Sequence, residues 1–351
     1  MRKLRILVIA TLLFSTLLPS LPVRAEELSL SAEHAVLYEP TTDTVLYGKG
    51  EHLRAPMAST TKIMTAYVAF QHGNLSDIVS IPAAACGIEG SSIYLQAGES
   101  LSLEDLLYAL LLQSANDAAT AIALHIGGSL ETFSNMMNES ALALGLTNTH
   151  FVNPHGLDDP EHYTTAYDLA KITSAAMERD DFCRMVSTIK HSIPKGNAGD
   201  VRILVNHNKL LRMYDHATGV KTGFTKKSGR CLVGAAEQNG LSLISVTLDA
   251  PNDWNDHKKL LDFGFSKMEN RLLCDSEAFS FALPVWGRNE TALSTNKEAA
   301  HAILPKDAPP LEYTIDLPHH LTAPLKHGRA VGSINFIYEG RIVSSVPLVI
   351  K

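Results

Sequence analysis

Metal-ligand spacing is what this chain most clearly lacks. Its 4 cysteines, Cys86, Cys183, Cys231 and Cys274, are scattered and form no C-x-x-C pair, which excludes a cysteine-built zinc or redox motif. Disulfides in any of three full pairings and free thiols both stay open. None of the 15 histidines sits in H-E-x-x-H or another ligand spacing, so each reads as a surface or structural residue. Neither a metal nor any other cofactor is expected. A basic excess is missing too: the formal net charge of −7 argues against nucleic acid as a partner. Beyond the N-terminal region no stretch is long and apolar enough to cross a bilayer.

What is present begins with an export pattern. Arg2, Lys3 and Arg5 precede an apolar run from Ile6 to Leu21, and Val23-Arg24-Ala25 offers a small-residue cleavage site. This is the three-part plan of a secretory signal peptide over residues 1–25, with Glu26 as the mature start. The apolar run is short for an uncleaved spanning anchor. The expected product is exported to the extracytoplasmic or cell-wall space. At 45% hydrophobic and 19% charged the composition supports a sizeable core, and the length favours two domains.

Hydrophobic periodicity places the elements. Ala35–Tyr38 and Thr44–Tyr47 alternate as an early hairpin, and Thr60–Phe70 has helical spacing. A buried helix is expected from Ser102, where Ser102 and Asp105 form a capping-box-like pair, to about Ser114. Further helices are expected near 117–126, 130–144, 165–178 and 254–268. Strands are expected at 201–205, 219–222, 231–236 and 241–248, the last two joined by an Asn239-Gly240 turn. Strands early and late around helices imply an α+β domain over 26–270, an antiparallel sheet flanked by helices. After a boundary near Asn270, short strand-like runs at 278–285, 311–317, 331–338 and 341–350 imply a small all-β domain over 271–351. Proline-rich Leu304–Pro310 reads as a spacer within it.

Three short motifs carry chemistry. Ser59-Thr60-Thr61-Lys62 puts a serine and a lysine three apart, on one face of a helix. A serine hydroxyl is a weak nucleophile and needs a base. Lys62 can be that base only if burial or a second cation lowers its pKa. Lys221, in Lys221-Thr222-Gly223, is the candidate second cation and would also attract a carboxylate. Ser114-Ala115-Asn116, just past the buried helix, offers Ser114 as a proton relay to a leaving amine and Asn116 to hold an amide. Thr222 adds a hydroxyl for a carboxylate, and Gly223 lets an extended peptide lie against a strand edge. The backbone N–H groups of Ser59 and Phe224 are the candidate oxyanion hole. Singly, each motif also reads as a helix cap, a helix end or a polar strand; together they specify one acyl-transfer site.

With these motifs and their flanks the chain resembles the serine-type D-alanyl-D-alanine carboxypeptidases, which are low-molecular-mass penicillin-binding proteins. The likeness spans Ser29 to Met268. It is carried by Ala58–Thr65, by Gly90–Leu95 with Gly98-Glu99, and by Ser114–Ala118. It continues through Asn153-Pro154-His155-Gly156-Leu157 leading to His162–Ala166, and Gly219–Thr225 completes it. The resemblance implies a penicillin-binding/β-lactamase-like transpeptidase fold, removal of the terminal D-alanine from peptidoglycan stem pentapeptides, and covalent inhibition by β-lactams. A C-terminal β domain, as many members carry, is a candidate for contact with a cell-wall partner or for simple support.

Two departures stand out. Many members continue into an amphipathic membrane-associated helix, whereas this sequence ends at Lys351 after a strand-like run. Some place an arginine soon after the K-T-G sheet; here Asn252-Asp253-Trp254-Asn255 stands there, so the substrate carboxylate is expected to rely on Thr222, Lys221 and Thr225. The rival readings are a β-lactamase and a cell-wall binding protein with a relict site. A class A β-lactamase needs a water-activating glutamate in an E-x-x-L-N-like segment. Glu131 to Asn135 matches that only partly, with Ser134 in place of leucine, and lies too close to Asn116. The three intact motifs weigh against a relict.

Overall fold

The computed structural model describes residues 28–196 and 199–351. The expected signal peptide and its cleavage point lie outside the described residues. Strands β1 (His34–Glu39) and β2 (Thr44–Lys49) form the early hairpin. A short 3-10 turn, Ala58–Thr61, leads into α1 (Lys62–His72). Two three-residue strands, β3 (Ile78–Ser80) and β4 (Ser100–Ser102), pair and deliver the chain to α2 (Leu103–Leu112), α3 (Asn116–Gly127) and α4 (Leu130–Ala143). Next come α5 (Ala166–Met177), α6 (Asp180–Ser187), the hairpin β5 (Lys190–Lys195) and β6 (Asp200–Val205), and α7 (Leu210–Met213). Strands β7 (Ala217–Thr225), β8 (Gly229–Gln238) and β9 (Leu241–Leu248) then precede α8 (Asp253–Lys267).

The main sheet runs β2-β1-β9-β8-β7, antiparallel at every pairing, so the first strands close against the last. This is the expected α+β architecture. Alternation along β9 shows why two helical layers are needed. Ile244, Val246 and Leu248 enter the large core shared with Ile63, Ala66, Leu106 and Leu110, while Leu243 packs with Leu260 and Leu261 of α8. Ser245 and Thr247 also face α8, where their hydroxyls meet the two ring nitrogens of fully buried His257 at 2.7 and 3.0 Å. The capping box of Ser102 and Asp105 is formed, and α2 is buried along most of its length. Asn239 and Gly240 adopt φ of 53° and 76°, the backbone of a tight hairpin turn.

The second unit takes over at the end of α8. Strand β10 (Met268–Cys274) follows α8 directly and pairs with β13 (Ala300–Pro305). With β11 (Ser280–Pro284), β12 (Thr291–Asn296), β14 (Glu312–Asp316), β15 (Ala330–Tyr338) and β16 (Arg341–Ile350), the order of the larger sheet is β11-β12-β16-β15-β14. The unit is all-β, with Ala300, Ile334, Phe336, Val346 and Leu348 at its centre. Leu304 and Pro305 complete β13 instead of acting as spacer, and Arg271 grips the next residues through the carbonyls of Pro305, Lys306 and Ala308. Proline is compatible with a strand end, because only its missing N–H must be spared. Strands β12 and β13 escaped the periodicity reading because both runs are six residues long, β12 being largely polar and β13 ending in the proline-rich stretch. Among the described residues no helix is long and apolar enough to cross a membrane, and all four cysteines are free thiols.

Candidate active site

Three walls meet at Ser59. The first is its own 3-10 turn. Thr60 and Thr61 turn their hydroxyls back to the carbonyls of Met57 and Ala58 at 2.6 and 2.7 Å, which ties the turn to itself. Ala58 itself has φ 47°, an uncommon conformation for a residue with a Cβ. It is held there from outside. Val152 N–H donates to His162 Nδ1 at 3.1 Å, which leaves the ring proton on Nε2 to donate to Thr61 Oγ1 at 2.7 Å. Burial, above all, pushes His162 down to about 4, so the ring stays neutral and keeps this tautomer.

The second wall is the edge strand β7. A Cβ on Gly223 would lie 3.0 Å from Ser59 N and 3.1 Å from Thr60 N, so glycine is what lets the strand approach the serine's backbone. Lys221 on β7 is 1% exposed and donates to Thr222 O at 2.8 Å. Burial lowers its pKa to about 7. Thr222 is half-buried and Phe224 exposed. The hydroxyl of Thr225 donates to Asp158 Oδ1 at 2.9 Å and lies 2.9 Å from Ser228 Oγ.

The third wall is the α2–α3 junction. Ser114 turns the chain with φ 59°, and Asn116 opens α3. Asn116 is fixed through its N–H to Ser91 O at 2.7 Å and its Nδ2 to Glu89 O at 2.5 Å. Its Oδ1 then faces Lys62. Buried Asp117 binds Ser92 Oγ at 2.6 Å and Leu95 N at 3.0 Å, pinning the 91–95 loop beside the site.

Lys62 ties the walls together. Fully buried, its Nζ lies 2.9 Å from Ser59 Oγ, 2.7 Å from Asn116 Oδ1 and 2.6 Å from the carbonyl of His155. As an ammonium it donates to all three. As a neutral amine it donates to Asn116 and His155 and turns its lone pair to the Ser59 hydroxyl, so no polar atom is stranded. Burial, reinforced by Lys221 and opposed by Asp117, holds its pKa well below the usual lysine value. The arrangement therefore gives Ser59 a neighbouring amine that can serve as a base.

Of the residues singled out from the motifs, Ser59, Lys62 and Asn116 are joined by hydrogen bonds and Gly223 closes on the Ser59 backbone, while Lys221, Thr222, Phe224 and Thr225 lie along β7 and Ser114 lies at the α2–α3 junction. What motif reasoning missed is the loop from Asn153 to Asp158. It supplies the His155 carbonyl, takes the Thr65 hydroxyl on Pro154 O at 2.6 Å, and presses Gly156 against the nucleophile turn. A Cβ on Gly156 would lie 1.9 Å from Ala58 O. The peculiar Asn-Pro-His-Gly-Leu run was the only sign of this, since a role played through a backbone carbonyl leaves no side-chain signature. Glu131, the partial match to a water-activating glutamate, is exposed in the first turn of α4, and no carboxylate bonds Ser59 or Lys62 among the described residues. No cluster that could hold a metal occurs among them either.

Known proteins resemble this chain over most of its length. A family model described as D-alanyl-D-alanine carboxypeptidase matches residues 22–252, and one described as penicillin-binding protein 5, C-terminal domain, matches residues 283–351. The D-alanyl-D-alanine carboxypeptidase DacF of Bacillus subtilis is 32% identical over 339 residues, covering 93% of this chain and 87% of that protein. DacC of Escherichia coli is 34% identical over 360 residues, covering 95% and 84%. Among solved structures, penicillin-binding protein 5 from Haemophilus influenzae superposes with a TM-score of 0.68 at 28% identity, covering 92% of this chain and 97% of that one. The chain thus belongs to the D-alanyl-D-alanine carboxypeptidase family of serine peptidases, with a penicillin-binding-protein fold and its C-terminal β domain.

Proposed function

We propose that this enzyme is exported and removes the terminal D-alanine of peptidoglycan stem pentapeptides through an ester on Ser59. Neutral Lys62 takes the Ser59 proton as Oγ attacks the carbonyl between the two D-alanines. The backbone N–H groups of Ser59 and Phe224 hold the oxyanion, and the ammonium of Lys221 with the hydroxyl of Thr222 holds the terminal carboxylate. The C–N bond then breaks, Ser114 relays the proton from Lys62 to the departing amine, and free D-alanine leaves. Water hydrolyses the ester, with Lys62 again as base. A β-lactam enters by the same attack, and its opened ring stays on Ser59. The observation that carries this reading is the buried Lys62 amine at 2.9 Å from Ser59 Oγ, with its remaining directions taken by Asn116 and His155.

The test is D-alanine release from a synthetic pentapeptide beside the mass of the intact protein after penicillin. The wild type should release D-alanine and gain one long-lived adduct. Ser59→Ala should do neither; turnover or an adduct in that variant would sink the acyl-serine mechanism. Rapid loss of the wild-type adduct would favour the β-lactamase alternative.

A further inference from the structure

Attack by Ser59 on the bond between the two D-alanines gives the cleft a direction. The carboxylate of the leaving D-alanine sits at Lys221 and Thr222, and the carbonyl under attack sits at Phe224 N–H. The rest of the stem peptide must therefore run past Thr225, antiparallel to β7, which is the free edge of the sheet. At about 3.3 Å per extended residue, the residue before the acylating D-alanine falls beside Thr225. Asp158 stands there. It is exposed, and Thr225 Oγ1 holds its Oδ1 at 2.9 Å. Among the described residues it has no ion-pair partner, although Lys226 and Lys227 lie exposed in the adjoining turn.

The fixation of Asp158 is itself built. Ser228 N–H donates to Thr225 Oγ1 at 2.9 Å, Thr225 N–H donates to Ser228 Oγ at 3.1 Å, and Ser228 is 2% exposed. This closed turn at the end of β7 presents the Thr225 hydroxyl toward the opposite loop. A hydroxyl that donates to a carboxylate is poorly placed to receive a second one, so the terminal carboxylate belongs on Lys221 and Thr222 rather than Thr225.

We propose that Asp158, oriented by Thr225, is an ammonium subsite that selects stem peptides whose third residue carries a free side-chain amine. This rests on the acyl-serine reading for the direction of the substrate. The subsite would discriminate between a diamino acid still uncrosslinked and one whose amine has been acylated, so that the enzyme prefers stem peptides not yet joined through that amine.

The test compares two pentapeptides ending in D-Ala-D-Ala, one with lysine at the third position and one with Nε-acetyl-lysine. A partly screened ion pair of about 1 kcal/mol gives a kcat/KM ratio of about fivefold for the free amine, shrinking in high salt. Asp158→Asn should bring the ratio to about one. If the strap from Asp158 to Thr225 is merely structural, the variant lowers both rates together and leaves the ratio alone, which overturns the proposal; so does a wild-type ratio of one. The same ratio is read from acylation rates with a β-lactam bearing an aminoalkyl side chain and its N-acetyl form. A fivefold ratio there without D-alanine release would remove the carboxypeptidase reading and leave the subsite standing. Release of D-alanine with equal rates in both pairs would do the reverse.

Discussion

The catalytic domain and the C-terminal β domain differ most in what they bury. In the first, Lys62, Asn116, Asp117, Lys221, His155, His162, Asp168 and His257 are all under 10% exposed; in the second, the buried polar residues are Ser294, Thr295 and Asn296. Burying a charge costs several kcal/mol unless partners replace water. Part of that cost falls around Ser59, on Lys62, Asp117 and Lys221. Part falls elsewhere, where Asp168 meets Thr149, Asp256 meets Ser31 and His257 meets Ser245 and Thr247. The second uses its buried amide for architecture: Asn296 accepts from Phe279 N–H at 2.9 Å and donates to Asp275 O at 2.8 Å and Glu298 O at 3.0 Å. The catalytic domain thus buries ionisable groups, and the β domain buries a neutral amide that holds a hairpin.

The comparison can be broken most forcefully at Lys62. Lys62→Met should lower the acylation rate by about 10²–10⁴-fold at a modest cost in thermal stability. Relief of the lysine's desolvation offsets the partner that Asn116 Oδ1 and the His155 carbonyl lose. A large fall in melting temperature with acylation preserved would mean that the lysine is structural. Gly156→Ala comes next. Its Cβ has no room against Ala58 O, so the nucleophile turn must shift, and about 10²-fold loss of acylation is expected. Stopped-flow penicillin labelling would show it.

Asn296→Ala should do the opposite. Leaving several buried backbone groups without partners costs about 2 kcal/mol, read by denaturant unfolding, with D-alanine release unaltered. A loss of turnover in the folded variant would show that the β domain shapes the site.

The smallest effect concerns pH. Burial lowers His257 to about 3 from a usual 6.5, so the folded state binds fewer protons than the unfolded one in between. Its contribution to stability is complete above pH 6.5 and is lost as pH falls toward 3, by about 1.4 kcal/mol per pH unit. Urea midpoints at pH 7 and pH 5 should differ, and less so in a folded His257→Gln variant. Equal slopes in the two proteins would count against a neutral buried ring.

Much of the fold was legible because its long elements carry strong periods. The 102–114 helix announced itself by leucine density and a capping box, and the Asn239-Gly240 hairpin by its turn residues. The segments that escaped were short or mixed: α6 has eight residues, β5 contains Pro194, and β12 reads Thr-Ala-Leu-Ser-Thr-Asn. Such runs take their form from neighbours rather than from their own pattern.

By itself the sequence determined which groups could react. A three-residue spacing puts Ser59 and Lys62 on one face of any helical turn, and Lys-Thr-Gly supplies a cation, a hydroxyl and room. Tertiary structure alone decided that they meet as a hydrogen-bonded pair. The pKa of Lys62 falls because its amine is buried beside residues distant along the chain, Asn116 and His155, and because Lys221 adds a second positive charge. The Asp158 strap likewise depends on a loop meeting a strand end across the cleft. Spacing is local and can be read along a chain, whereas desolvation is a property of everything packed around a group.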